Sequence, residues 1–314
     1  MNASTAATPL VRAAFSHLID YAGLFPPAQL TMDAALQGYE ESRGSSHAWM
    51  LGRFITPASR MEELRSMLRP SHGRIRLSVI FDAAADRGDW MRAIQAHCVA
   101  VSEMRANEPR LCVESLEVPL PPLATLRDSY DASIGQCAML AERGGLRDLP
   151  IFVEFPRDSR WAGALSDTMS ALKRYRLGAK MRCGGTTADA VPSAAQTAAF
   201  ISAATECAVP FKATAGLHHP IRHYDDHLQT KMHGFLNILA AVALAPDAQE
   251  ATLAAILEEE RAERFSFESD EFVVSGRRLS LQDIVRARAS FVAYGSCSFS
   301  EPVDDLIALS ILPK

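Results

Sequence analysis

The chain has 314 residues, of which 48% are hydrophobic and 22% are charged, and its net charge at pH 7 is −5. This composition is typical of a globular protein with a large core, and the acidic balance without a basic run disfavours a nucleic-acid-binding or membrane-surface protein. No apolar stretch reaches the roughly 18 residues that a transmembrane helix needs, so none is predicted.

The N-terminal segment and the cysteines favour a cytoplasmic location. Residues 1–15 lack a charged region followed by an apolar one, so they do not resemble a signal peptide. The six cysteines are scattered without a Cys-x-x-Cys pair, which is typical of reduced thiols. We therefore expect a cytoplasmic protein that binds a small-molecule substrate but neither nucleic acid nor membrane. Assembly into a homo-oligomer is left open.

Short apolar runs alternate with amphipathic stretches along the whole chain, which indicates parallel strand–helix–strand units. The predicted strands are 17–25, 50–58, 76–83, 111–120, 150–155, 177–182, 210–216 and 291–298. The predicted helices are 31–41, one that starts at Ser59, 89–104, 125–143, 160–174, one that starts near 192–193, and a last one from Ser300.

Capping residues support several of these helix starts. The candidates are Thr31 as an N-cap, Ser59 with Glu62 and Ser193 with Gln196 as capping boxes, and Ser300 as a cap with Pro302 in the first turn.

Eight strand–helix units of roughly 40 residues each fill the chain, which predicts an α/β fold of the (β/α)8 TIM-barrel type. An open doubly wound sheet is disfavoured because no Gly-x-Gly-x-x-Gly follows the first strand. Residues 1–314 are predicted to form a single domain with an insertion between strands seven and eight. In and beside this 246–290 elaboration, 234–244 and 251–260 resemble helices, and 264–279 resembles a hairpin that turns near Ser269 and Asp270.

In such a barrel the active site forms at the carboxyl ends of the strands. Because side chains alternate along a strand, Lys180 shares a face with Arg182, and Lys212 shares a face with Thr214 on the next strand. The two lysines should therefore lie close together, and buried cations require anionic partners. The candidate partners are an anionic substrate, Glu154 on strand five, Glu117 on strand four and Asp20 on strand one.

A lysine must lose its proton before it attacks a carbonyl carbon. Desolvation and a neighbouring cation both lower a lysine pKa, so the pair Lys180 and Lys212 favours a nucleophile at neutral pH. Two other interpretations stay open. Lys180, Arg182 and Lys212 could instead clamp a phosphate or carboxylate without a covalent bond, or they could form structural ion pairs.

Five of the nine histidines lie within 218–233. His218 and His219 directly follow strand seven and are candidates for a general acid or base, or for substrate contact. A metal site at His223 and His227 would need a helix, and this segment is more typical of a loop and lacks a His-Glu-x-x-His motif. We predict no metal and no cofactor, with a solvated loop as the remaining interpretation.

Two glycine turns at strand ends are candidates for binding a substrate phosphate through backbone N–H groups. They are Gly184-Gly185 and Gly295-Ser296. Cys183 and Cys297 lie nearby, but no histidine is expected beside either one, so a catalytic thiol is not expected.

The segments GAKMRCGGTT and VPFKATAGLHHPIR resemble the lysine strands of class I aldolases, specifically deoxyribose-phosphate aldolase. That family carries its Schiff-base lysine in a Lys-Thr-Ser-Thr-Gly setting and a second lysine in a Lys-x-x-Gly-Gly-x-Arg setting. The resemblance implies that Lys180 forms the Schiff base and that Lys212 lowers its pKa. Arg182 stands where the family has a small hydroxyl residue. His218 and His219 occupy the loop with which that family binds phosphate.

The leading hypothesis is a lyase of aldolase type that acts on a small carbonyl compound, with or without a phosphate or carboxylate group, through a lysine iminium. Lys180 would attack, Lys212 would tune it, Glu154 or a histidine would move protons, and Arg182 would hold an anionic group. The alternatives are a transferase or decarboxylase with a cationic clamp, a metal-dependent enzyme built on the 218–233 histidines, and a non-catalytic binding barrel.

Overall fold

The computed structural model of the protein describes residues 7–121, 129–268 and 270–313. Eight parallel strands close into a barrel with helices outside it, which confirms the predicted TIM-barrel fold. In chain order the strands are β1 (Ile19–Tyr21), β2 (Leu51–Pro57), β3 (Ile75–Ile80), β4 (Leu111–Pro119), β5 (Ile151–Glu154), β6 (Gly178–Arg182), β7 (Phe211–Thr214), β8 (His223–Asp225), β9 (Thr230–Met232), β10 (Phe265–Phe267), β11 (Glu271–Val274), β12 (Arg277–Ser280) and β13 (Phe291–Ser296).

The helices lie outside the barrel. They are α1 (Pro9–Phe15), α2 (Met32–Arg43), α3 (Met61–Ser66), α4 (Arg87–Asn107), α5 (Asp131–Arg143), α6 (Trp161–Tyr175), α7 (Ala194–Cys207), α8 (Phe235–Leu244), α9 (Glu250–Leu257), α10 (Leu281–Ser290) and α11 (Ser300–Ala308). The sequence reasoning did not predict α1. Residues 125–128 of the helix predicted over 125–143 lie outside the described part of the chain.

The barrel strands follow one another in the order β1–β13–β7–β6–β5–β4–β3–β2, so β13 is the eighth strand of the barrel. Strands buried on both faces read as continuous apolar runs, and β7 is buried at all four of its positions. A charged residue in such a strand has to point into the barrel and find a partner there.

The chain between β7 and β13 contains two small sheets and three helices. Helix α8 is buried at every position because it packs between the barrel and the helices α7, α9 and α10. The segment predicted as a hairpin contains an antiparallel hairpin, β10 and β11, and a third antiparallel strand, β12, extends it to a three-stranded sheet. Its second turn lies at Ser275-Gly276, where both residues have positive φ, and Ser269 lies outside the described residues.

Two of the predicted helix caps are confirmed and two are wrong. Thr31 caps α2, and Ser193 forms a capping box with Gln196 on α7. Ser59 does not cap α3, because its N–H and its hydroxyl both bind the Asp82 carboxylate, at 3.1 and 2.9 Å.

The last helix also starts differently from the prediction. Ser300 is its first residue, Phe299 occupies the N-cap position without a side-chain bond, and Pro302 lies in the first turn as predicted. The hydroxyl that accepts a hydrogen bond there belongs to Ser298, which receives the Glu301 N–H at 3.2 Å.

No helix among the described residues is long and apolar enough to cross a membrane. The six cysteines are free thiols, three of them buried.

Candidate active site

A cavity of about 890 Å³ opens at the carboxyl ends of the barrel strands, where (β/α)8 enzymes place their active sites. Most of the residues predicted from the sequence line it: Glu117, Glu154, Lys180, Arg182, Gly185, Thr214, His218, His219 and Gly295. Four do not line it: Lys212, Asp20, Gly184 and Ser296.

Strand register explains the position of the two lysines. Lys180 lies opposite Glu154 of β5 on one side and opposite Lys212 of β7 on the other. The prediction that the lysines occupy neighbouring positions is therefore confirmed. The expectation that both point into the cavity is wrong, because the Lys212 side chain is fully buried beneath the cavity floor.

Lys180 forms the floor of the cavity. Its ammonium group lies 2.8 Å from Glu117 Oε2 and 3.0 Å from Glu154 Oε2. The lysine is only 6% exposed, but Glu154 retains 19% of its side-chain accessibility on the cavity side. The amine is thus reachable from the cavity and has two carboxylates within proton-transfer distance.

Lys212 lies one layer deeper. Its ammonium group contacts Asp20 Oδ2 at 2.7 Å, Ser78 Oγ at 3.0 Å and Glu117 Oε1. Asp20 is in turn held by the backbone N–H of Arg53 at 2.7 Å. Asp20 therefore supports the site from below the floor rather than binding substrate.

Glu117 bridges the two lysines with one carboxylate oxygen toward each. Burial alone would raise the pKa of Glu117, but Lys180 and Lys212 outweigh burial and hold the pKa well below its usual range. Burial alone would lower the pKa of Lys180, but Glu117 and Glu154 outweigh it and raise the pKa above its ordinary value. The expected lowering of the Lys180 pKa by Lys212 is therefore wrong, because a carboxylate lies between the two ammonium groups.

Arg182 and Thr214 lie nearer the rim, opposite each other on β6 and β7. The Arg182 side chain is 54% exposed and approaches Glu154 Oε1 only to 3.9 Å. Thr214 lines the cavity, and its buried hydroxyl has no hydrogen-bond partner among the described residues. A substrate hydroxyl or carbonyl is a suitable partner for this group.

The part of the cavity wall that follows β7 holds His218, which contacts Glu301 and Cys297. His218 Nδ1 lies 2.8 Å from Glu301 Oε2, and His218 Nε2 lies 3.7 Å from Cys297 Sγ. Burial lowers the pKa of His218, but Cys297 and Glu301 outweigh it and raise the pKa to about 9. The expectation that no histidine lies beside Cys297 is wrong. Cys183 is fully buried, and burial raises its pKa to about 12.

Four of the five histidines of 218–233 line the cavity, and His233 lies apart from them. His219 Nδ1 bonds Asp305 Oδ2 at 2.6 Å, and its ring lies 4.3 Å from that of His223. His223 and His227 belong to the hairpin of β8 and β9, not to a helix, and both line the cavity. His233 is fully buried elsewhere, with Nε2 2.8 Å from the Pro192 carbonyl oxygen. Among the described residues, no three His, Cys, Asp or Glu side chains converge in an arrangement that would hold a metal ion.

The predicted glycine turns are only partly open to the cavity: Gly185 and Gly295 line it, whereas Gly184 and Ser296 do not. A Cβ on Gly184 would lie 3.0 Å from Met232 Cε and 3.2 Å from the Gly216 backbone nitrogen. Met232 of β9 is buried, and its methyl group lies against Gly184 and Gly216. The Ser296 hydroxyl donates a hydrogen bond to the Ser298 carbonyl oxygen at 2.6 Å, so its proton is not available to a substrate.

Sequence reasoning missed Asp82, Glu301 and Asp225, which also line the cavity. Glu301 carried a usable signal. It lies four residues before Asp305 on the helix after the eighth barrel strand, so the two carboxylates share a helix face at the mouth of the barrel.

Comparisons with known proteins support the fold. No family model matches the sequence, and no curated protein matches it. A solved structure of a tetrameric deoxyribose phosphate aldolase from Aeropyrum pernix matches with a TM-score of 0.52 and 12% sequence identity, over 96% of this chain and 93% of that chain. The resemblance seen in the two lysine segments thus extends to the whole barrel, at the level of the fold.

Proposed function

We propose that this chain is a lyase of class I aldolase type, in which Lys180 forms an iminium with a small carbonyl compound. One observation carries the proposal: the Lys180 amine lies at the floor of the cavity with carboxylates at 2.8 and 3.0 Å, while the second lysine is sealed below it. The aldolase fold of the solved neighbour is consistent with this chemistry.

The proposed reaction starts with a proton transfer. Because the Lys180 amine is held protonated in the free enzyme, its proton passes to Glu154, which is exposed to the cavity, before the nitrogen attacks. Nitrogen and carbonyl carbon then form a bond, and water leaves to give the iminium. A carboxylate removes the α-proton, and the resulting enamine adds to a second carbonyl compound. Hydrolysis frees the lysine, and the reverse sequence cleaves the same carbon–carbon bond.

Glu117 and His218 have separate tasks in this scheme. Glu117 is shared with Lys212, so it is the poorer proton acceptor and the better fixed negative charge beside the iminium. His218, paired with Glu301 in the part of the cavity wall that follows β7, would donate a proton to the oxygen of the second carbonyl compound.

The anion-clamp alternative has weaker support. An anion clamp needs cations that are not already paired with carboxylates. Both lysines are paired with carboxylates, and Arg182 lies near Glu154.

The test is reduction with borohydride in the presence of a panel of aldehydes and keto acids, read by intact mass and peptide mapping. The chain has only five lysines, so the adduct can be assigned to one residue. We expect it on Lys180, and we expect Lys180→Arg to lose both trapping and turnover while it retains the positive charge. Lys231→Met is the matched control, because Lys231 is exposed and pairs with Glu260 at the surface. Turnover of a substrate that leaves Lys180 unmodified would favour the clamp.

A further inference from the structure

We propose that the carbonyl compound bound in this cavity is uncharged and carries neither a phosphate nor a carboxylate group. This inference deepens the proposed iminium function and rests on it for the identity of the reacting carbon. It is carried by the charges of the cavity wall, by the carboxylates that already lie beside its two cations, and by Met232, which packs beside the Gly184 turn.

The cavity wall is acidic. Its described residues include five carboxylates: Asp82, Glu117, Glu154, Asp225 and Glu301. Against them stand two permanent cations, Lys180 and Arg182. A protonated His218 reduces the excess of negative charge but does not remove it. A phosphate dianion entering this wall would be repelled, and the repulsion is stronger in a partly enclosed cavity than in water.

Lys180 is a poor partner for a dianion, because its ammonium group already contacts Glu117 and Glu154. A dianion bound there would lie beside both carboxylates and be repelled by them. Arg182 is exposed at the rim and lies 3.9 Å from Glu154 Oε1, so an anion bound to Arg182 would also lie near this carboxylate.

The Gly184 turn has little room for an anion. A Cβ on Gly184 would lie only 3.0 Å from Met232 Cε, so the methyl group of Met232 occupies the space beside this turn. Met232 belongs to the β8–β9 hairpin that follows β7, so this insertion places an apolar side chain where a phosphate would need N–H donors.

The rest of the wall suits an uncharged compound. Phe25, Ile55 and Phe81 give one side of the cavity an apolar surface. The buried Thr214 hydroxyl offers a hydrogen bond to a hydroxyl or carbonyl group. A short hydroxyaldehyde or ketone presents both kinds of surface.

The experiment compares matched pairs of compounds with and without phosphate: glycolaldehyde with its phosphate, and glyceraldehyde with glyceraldehyde 3-phosphate. Borohydride trapping on Lys180 and kcat/KM are measured at constant ionic strength. We expect the unphosphorylated member of each pair to be favoured by roughly tenfold or more. An equal or greater rate for the phosphorylated members would overturn the inference.

Charge variants test the cause. The double variant Asp82→Asn with Asp225→Asn should reduce the preference for the unphosphorylated compound several-fold. The control pair Asp167→Asn with Glu250→Gln makes the same change of charge at exposed helix positions and should leave the preference unchanged. Equal narrowing in both pairs would show that the cavity wall is not the cause.

A binding measurement separates this inference from the iminium proposal. If no compound of either series is trapped, the iminium proposal fails. Binding of inorganic phosphate, measured as a change in Tm, then still tests whether the cavity accepts an anion. No rise in Tm with millimolar phosphate over chloride at equal ionic strength supports an uncharged ligand. A rise that Arg182→Gln abolishes would overturn it.

Discussion

The Glu117 carboxylate controls the Lys180 amine, and Glu117→Gln tests that control. At an effective dielectric of about 20, two unit charges 2.8 Å apart attract by about 6 kcal/mol. The glutamine amide oxygen still accepts a hydrogen bond from the ammonium, which recovers about 1.5–3 kcal/mol. The net loss of about 3–4 kcal/mol should move the pH profile of amine reactivity about two to three pH units lower.

The sign follows from the ion pairs. Glu117 and Glu154 raise the pKa of Lys180, so trapping in the native protein should increase with pH. Removing one carboxylate lowers the pH at which the neutral amine appears. Lys212 retains Asp20, so the fold should be maintained.

The assay is borohydride trapping of an accepted aldehyde on Lys180 at a series of pH values, with circular dichroism as the check on folding. Glu260→Gln is the control, since it removes the carboxylate of the surface pair with Lys231 and should leave the profile unchanged. A profile for Glu117→Gln that stays in place, or moves to higher pH, would refute the electrostatic reasoning.

Lys212→Met should lower the free energy of unfolding by about 3–5 kcal/mol, because it leaves two buried carboxylates short of a partner; a urea midpoint equal to that of the native protein would contradict this. The His218 pKa of about 9 lies above its ordinary 6.5, so its stabilisation is complete below pH 6.5 and is lost as the pH rises through about 9. Glu301→Gln should therefore reduce the slope of Tm against pH between pH 6.5 and about 9. An unaltered slope in this range would show that the pH dependence comes from another group.

The repeated alternation of apolar strands with amphipathic helices was enough to predict the barrel, because each strand–helix unit is encoded locally by its hydrophobic period. The same period predicted that Lys180 and Arg182 share a face. It also brought Glu117, Glu154 and Lys180 to one end of the barrel, since parallel strands end at the same edge.

Local pattern misled where a side chain found a distant partner. Ser59 has the sequence of a capping box, but Asp82, 23 residues further along, takes both of its donors. Cys297 was set aside because no histidine is near it in sequence, but His218, 79 residues away, lies beside it.

Side-chain alternation gives the face of a strand, but the depth of a group inside the barrel and its partners depend on how the sheet closes. Lys212 contacts Asp20 of β1, Ser78 of β3 and Glu117 of β4, and those strands meet it only across the closed barrel. Closure fixes the stagger between strands, a property of all eight together that no single segment encodes. The two lysines could therefore be predicted as neighbours, whereas the carboxylate between them, which helps to raise the pKa of Lys180, was decided by the tertiary structure.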